Sequence, residues 1–127
     1  FMYIFARLSK MYEVEIVPGV TSMTACAAVA KMPLLARNEH LTVIPGTLAP
    51  EELRNRILNA DAVVIMKVGR HLDKIKKVLE EVELSSEAIY VEYASLPTQQ
   101  VLKIINAPKT APYFSMILVA KGADPWL

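Results

Sequence analysis

The chain has 127 residues, 54% of them apolar, and a formal net charge of +1, which allows one substantial core but not two full domains. Its four glycines, Gly19, Gly46, Gly69 and Gly122, stand apart and exclude a P-loop or a G-x-G-x-x-G turn, and its single cysteine, Cys26, excludes a disulfide framework or a cysteine-built zinc site. Balanced charge without a basic block argues against a nucleic-acid scaffold, and no apolar run approaches the ~18 residues that span a bilayer, so no membrane role is expected and the expected compartment is cytoplasmic.

Phe1 to Tyr12 is predicted to be helical, with Ile4, Leu8 and Met11 at helical spacing. A helix already under way at a first residue that is not methionine points to a fragment beginning inside a domain. Glu13 to Val17 (EVEIV) alternates like a short strand and is closed by Pro18-Gly19. Thr21 to Lys31 (TSMTACAAVAK) is a helix of small residues with Thr21 or Ser22 as N-cap, stopped by Met32-Pro33.

From His40 the pattern alternates strictly. His40 to Ile44 is a strand, and Pro50 to Leu58 is a helix with proline early and acids in its first turn. Asp61 to Lys67 (DAVVIMK) is a strand buried on both faces. His71 to Val82 is the clearest helix, with Leu72, Ile75, Val78, Leu79 and Val82 in one apolar stripe. Ala88 to Ala94, Gln99 to Ile105 and Tyr113 to Ala120 complete five strands, the second of these also compatible with helix. The order β-α-β-α-β-β-β predicts parallel crossovers followed by an antiparallel hairpin. Leu34 to Asn38 and Pro45 to Pro50 are the candidate hinges; the former divides the chain into units 1–37 and 38–127.

Three segments could carry chemistry. A strand that ends in Pro-Gly and enters a helix through Thr21 and Ser22 leaves free N–H groups beside two hydroxyls, although ordinary capping accounts for the same residues. Met66 to Arg70 (MKVGR) follows a buried strand, where α/β proteins bind ligands; Met66 offers an adaptable wall, and Lys67 and Arg70 could meet carboxylates. Glu92, flanked by apolar residues, could be a general base, but an alternating strand predicts that it points outward. Cys26 is expected to pack, His40 to lie on the surface and His71 to start a helix. No Ser-His-Asp set or carboxylate pair can be assembled, so no residue is given a catalytic role, and no metal site is expected.

Taken together, VEIVPGVTSMTACAA, VVIMKVGR, IYVEYASLPTQQV and PYFSMILVAKG resemble the later part of the tetrapyrrole methylases. PGVTS alone marks the superfamily; with MKVGR and VEYAS at these spacings it is similar to the cobalt-factor II / precorrin-2 C20-methyltransferases of cobalamin biosynthesis. The resemblance implies an α/β fold: a mixed five-stranded sheet with flanking helices, the second domain of a two-domain enzyme, preceded by a remnant of the first. It further implies that S-adenosylmethionine binds in the cleft between domains and methylates a tetrapyrrole ring carbon. By matching position, Thr21, Ser22, Met66, Ala94 and Ser115 are implied to touch the cofactor, with small side chains letting a flat base lie against backbone. Lys67 and Arg70 are candidates for the substrate's carboxylates. Homodimerisation is also implied. The Gly- and Pro-rich strand end and the G-D-P segment typical of the family's first domain are not in these residues. A non-catalytic small-molecule-binding or dimerisation module of α/β type accounts for the same apolar excess; an upstream Gly-rich strand end would favour the enzyme.

Overall fold

A computed structural model describes residues 1–122; residues 123–127, the end of the expected second unit, lie outside it. Three helices and five strands build the body: α2 (Ser22–Ala30), β1 (Leu41–Pro45), α3 (Pro50–Leu58), β2 (Ala62–Met66), α4 (Leu72–Glu81), β3 (Ala88–Glu92), β4 (Gln100–Lys103) and β5 (Ser115–Ala120). A further helix, α1 (Met2–Leu8), precedes them and buries no residue. Short 3-10 turns at Gly69–His71 and Ile104–Asn106 lead into α4 and out of β4.

The sheet order is β1-β2-β5-β3-β4. β1 and β2 pair in parallel, Leu41 opposite Ala62 and Pro45 opposite Met66. β5 runs antiparallel to both β2 and β3, and β4 antiparallel to β3. The mixed five-stranded sheet expected from the sequence is thus present, and Ala62, Val63, Val64 and Ile65 of β2 are fully buried. The last strand is not simply added at the edge: β5 inserts between β2 and β3, giving β3 two antiparallel neighbours. The most apolar strands thereby occupy the centre, where both faces must be covered.

Side-chain alternation sends each strand to two cores. Val63, Ile65, Tyr90, Ile117 and Val119 meet Leu53 and Ile57 of α3 and Leu72, Ile75, Val78 and Leu79 of α4. Val64, Val91, Met116 and Leu118 meet Cys26, with Met23, Ala27, Val29 and Ala30 of α2 packed around them. The small residues of α2 let it lie close on the sheet.

Two expectations are corrected. Glu13–Val17 forms no strand: residues 13–21 carry no regular structure and are exposed apart from the half-buried Val14. Its alternation is real, but a strand exists only by pairing, and neither edge strand of the sheet, β1 or β4, takes it up. Glu92 does not point outward. It is 6% exposed, on the same side of β3 as the buried Tyr90, and accepts that tyrosine's hydroxyl at 2.5 Å on Oε2. Local polarity predicts a solvent-facing glutamate; burial becomes tolerable because the tyrosine two residues back donates to it.

Candidate functional site

All three strands running in the β1 direction end at one edge of the sheet, and the antiparallel β4 and β5 begin there. A cleft of about 410 Å³ opens at that edge, on the α2 side. Ser22, Ala25 and Cys26 from the first turns of α2 form one wall, and Met66, Lys67 and Ala94 from the exits of β2 and β3 form the other. Tyr93, Leu96, Tyr113 and Phe114 line its mouth, and Ser115 and Met116 of β5 its floor.

Of the residues selected by sequence, Ser22, Met66, Lys67, Ala94 and Ser115 all line this one cleft, although 93 positions separate the first from the last. Thr21 and Arg70 do not line it. Thr21 is the N-cap of α2: its Oγ1 lies 3.4 Å from the Thr24 amide, which donates to it, and 3.0 Å from Thr24 Oγ1. Arg70 sits in the 3-10 turn just beyond the cleft wall, exposed, with Nε 3.5 Å from His71 Nε2. The Ser115 hydroxyl donates to the Pro112 carbonyl at 2.6 Å, so it holds the 112–115 turn.

The backbone around the cleft is unusual. Lys67 and Tyr93, the residues immediately after β2 and β3, have φ of 55° and 50°, and Ser95 has 66°. Side chains other than glycine rarely adopt that region, and such residues persist where surrounding structure enforces them. At Tyr93 the enforcement is visible: its amide donates to the Phe114 carbonyl at 2.9 Å and its carbonyl accepts from the Leu96 amide at 2.9 Å. The Ser95 amide is held by Gln99 Oε1 at 2.7 Å. Each left-handed residue turns the chain sharply off its strand, which keeps the strand ends open.

Electrostatically the cleft is simple. Among the described residues, Lys67 is the one charged side chain lining it. Burial pushes the Cys26 thiol up from its ordinary range, so it stays protonated and behaves as a small apolar wall residue. No group of acids, histidines or cysteines that could hold a metal exists among the described residues. The arrangement suits a ligand with a flat apolar part and few charges, gripped by contact.

Leu96, Tyr113 and Phe114 were not selected from the sequence, and Tyr93 only as a neighbour of Glu92. Phe114 stacks edge-on against Tyr113 with ring centroids 5.3 Å apart and lies 6.4 Å from Tyr93. Tyr93, Tyr113 and Phe114 share a signal of position, each standing one or two residues outside a strand at the same sheet edge, which becomes visible only once β5 is known to lie beside β3; Leu96 lies four residues past β3.

The model of the family described as Tetrapyrrole (Corrin/Porphyrin) Methylases matches residues 1–105. A precorrin-2 C(20)-methyltransferase from Sinorhizobium is 38% identical over 98% of the chain, and a cobalt-precorrin-2 C(20)-methyltransferase from Salmonella typhimurium is 37% identical over 94%. The chain spans about half of these relatives, 51% and 52% of their length. Among solved structures, the methyltransferase CobJ superposes with a TM-score of 0.62 at 21% identity, over 98% of this chain and 62% of that one. Uroporphyrin-III C-methyltransferase from Thermus thermophilus, complexed with S-adenyl homocysteine, gives 0.61 at 20% identity, over 94% and 57%. These two likenesses establish the shared fold. The match of the family model over most of its length shows that this chain belongs to the tetrapyrrole methylases.

Proposed function

We propose that this chain is part of an S-adenosylmethionine-dependent methyltransferase that methylates C20 of precorrin-2 or cobalt-factor II in cobalamin biosynthesis. The observation that carries the reading is the single cleft at the strand ends that gathers Ser22, Met66, Lys67, Ala94 and Ser115. The identity to relatives named for C20 methylation favours that branch over other tetrapyrrole methylases.

The residues present fit the cofactor. Met66, Ala25 and Ala94 would hold the flat adenosine part against backbone, and Ser22 with the first amides of α2 would meet its carboxylate. When bound, S-adenosylmethionine supplies an electrophilic methyl group. The chain's own contribution is to orient and to keep water out, and alignment of two reactants lowers a barrier without acid–base chemistry. Lys67 at the cleft and Arg70 beside it would hold the macrocycle's carboxylates. The family resemblance supports association into a homodimer, and the enzyme would work in the cytoplasm.

The test is transfer of labelled methyl from S-adenosylmethionine to precorrin-2 by protein containing this chain preceded by the family's first domain. Label on C20 is expected, and label elsewhere or none rejects the reading. In that protein Arg70→Ala should raise the tetrapyrrole KM without changing the cofactor KM; an unchanged tetrapyrrole KM removes Arg70 from the site. The 127 residues alone should bind S-adenosylmethionine weakly or not at all by calorimetry.

A further inference from the structure

Met66 and Lys67 form a wall of the cleft, yet little in their own strand fixes where that wall stands. β2 ends at Met66 and the chain turns away at Lys67. What does reach the wall is the exit of β1. The ladder between β1 and β2 continues one residue past β1, where the Gly46 amide donates to the Met66 carbonyl at 2.6 Å. Gly46 is buried. A Cβ on it would stand 2.7 Å from Ile75 Cδ1, 3.2 Å from the Lys67 carbonyl oxygen and 3.3 Å from the Met66 carbonyl oxygen.

These contacts differ in kind. Ile75 presents the end of a flexible side chain, which can turn aside or be trimmed. The two carbonyls belong to the wall itself, and the residue between them is already in a left-handed conformation, so the wall can yield only by moving. We propose that Gly46 is a positioning residue of the cleft: its missing side chain lets β1 clasp the Met66–Lys67 backbone and set the width between that wall and α2. Glycine is required here for close approach of two backbones. Gly46 is thus a remote determinant of ligand fit that does not line the cleft, and its ligand readout rests on the cofactor reading above.

Cys26, on the facing wall, is the chain's single cysteine and 5% exposed, so its reaction with N-ethylmaleimide reports the width of the cleft without any ligand. Well below the melting temperature, Gly46→Ala in the 127-residue chain should change that rate about fivefold or more, upward if the displaced wall moves away from α2 and downward if it moves toward it. The double variant Gly46→Ala/Ile75→Val loses the clash that threatens folding and keeps the two carbonyl contacts; it should keep the altered rate. Ile57→Val, which weakens the core away from this clasp, should leave the rate within about twofold of the parent. In the intact methyltransferase, Gly46→Ala should weaken S-adenosylhomocysteine binding by about tenfold, because the displaced wall loses contact with the ligand. Parental Cys26 rates in folded Gly46→Ala, or full return to the parental rate in the double variant, overturn the proposal. Failure of the parent enzyme to bind S-adenosylhomocysteine would instead strike the cofactor reading and leave the thiol measurement standing.

Discussion

On its α3/α4 face the sheet is dry: Leu53, Ile57, Val63, Ile65, Ile75, Leu79 and Ile117 are all at 0% exposure. On the other face a single nine-residue helix, α2, does the covering; Cys26 is its only buried residue, and its partners Met23, Ala27, Val29 and Ala30 are half-buried. The strands are equally apolar on both sides, so the difference lies in what covers them. The first face is packed to the density that holds an α/β body together. The second is packed at its centre and left open at the strand ends, and that is where the cleft forms. Stability and ligand binding are therefore assigned to opposite sides of one sheet, and substitutions on the two sides should separate them.

The widest separation comes from truncating equivalent positions. Ile57→Ala empties a fully enclosed site and should cost about 2–5 kcal/mol, a fall of roughly 10 °C or more in Tm. Val29→Ala on α2 removes a half-covered side chain and should cost about 1 kcal/mol or less. Urea unfolding followed by circular dichroism measures both. Equal losses would mean that α2 packs as tightly as α3 and α4, and the contrast between the faces would disappear.

The buried Tyr90–Glu92 pair sits on the dry face and gives the next largest effect. Tyr90→Phe leaves a buried carboxylate without its donor, which should cost about 1–3 kcal/mol; Glu92→Gln keeps a partner for the hydroxyl and should cost less. Burial, and then the hydrogen bond to Glu92, pushes the tyrosine hydroxyl above its ordinary value of 10.0. The folded protein thus keeps a proton that the unfolded chain releases. Stability from this group is complete below pH 10.0 and falls as the pH rises above it. Tyr90→Phe should flatten that part of the alkaline stability curve, and a curve parallel to the parent's would show that the hydroxyl does not titrate with folding.

Met66→Ala sharpens the comparison from the open face. The side chain is 37% exposed, so its loss should change stability by about 0.5–1 kcal/mol. If the wall grips a ligand, cofactor affinity in the intact methyltransferase should drop about fivefold to tenfold by calorimetry. A large stability loss with unchanged affinity would turn Met66 into a core residue and detach the cleft wall from binding.

How much of this was legible beforehand follows the same division. The dry face was: Leu72, Ile75, Val78 and Leu79 recur at helical spacing, and the runs of β2 and β5 are continuous, because burial on both sides writes itself into local pattern. The open face was legible in part: Ser22, Met66 and Lys67 stand out by their places at a helix start and a strand end, whereas Ala94 and Ser115 enter as binding residues only through the family motifs. The insertion of β5 between β2 and β3 was not legible, because strand order is decided by which apolar runs need the centre, not by their sequence order. Neither were the left-handed turns at Lys67 and Tyr93, where no glycine announces them, nor the inward Glu92, whose burial depends on a tyrosine two positions away. Glu13–Val17 shows the opposite failure: a correct local pattern with no neighbouring strand to pair with.

The smallest expected effect tests how α2 holds its face. Thr21 caps the helix through a long 3.4 Å hydrogen bond from the Thr24 amide, while the Thr24 hydroxyl donates back to the Thr21 carbonyl at 2.9 Å. Thr21→Ala should therefore cost about 0.5–1 kcal/mol, the low part of the range for N-caps, and Thr21→Ser should restore most of it. Because α2 is, among the described residues, the one helix packed on the open face and Ser22 follows the cap directly, loosening the first turn should also expose Cys26 to N-ethylmaleimide more than a substitution of equal cost on α3 does. A loss well above 1 kcal/mol, with no added thiol exposure, would mean that the cap anchors the whole helix to the sheet, and the open face would then be held by its end and not by its small-residue contacts with Val64, Val91 and Leu118.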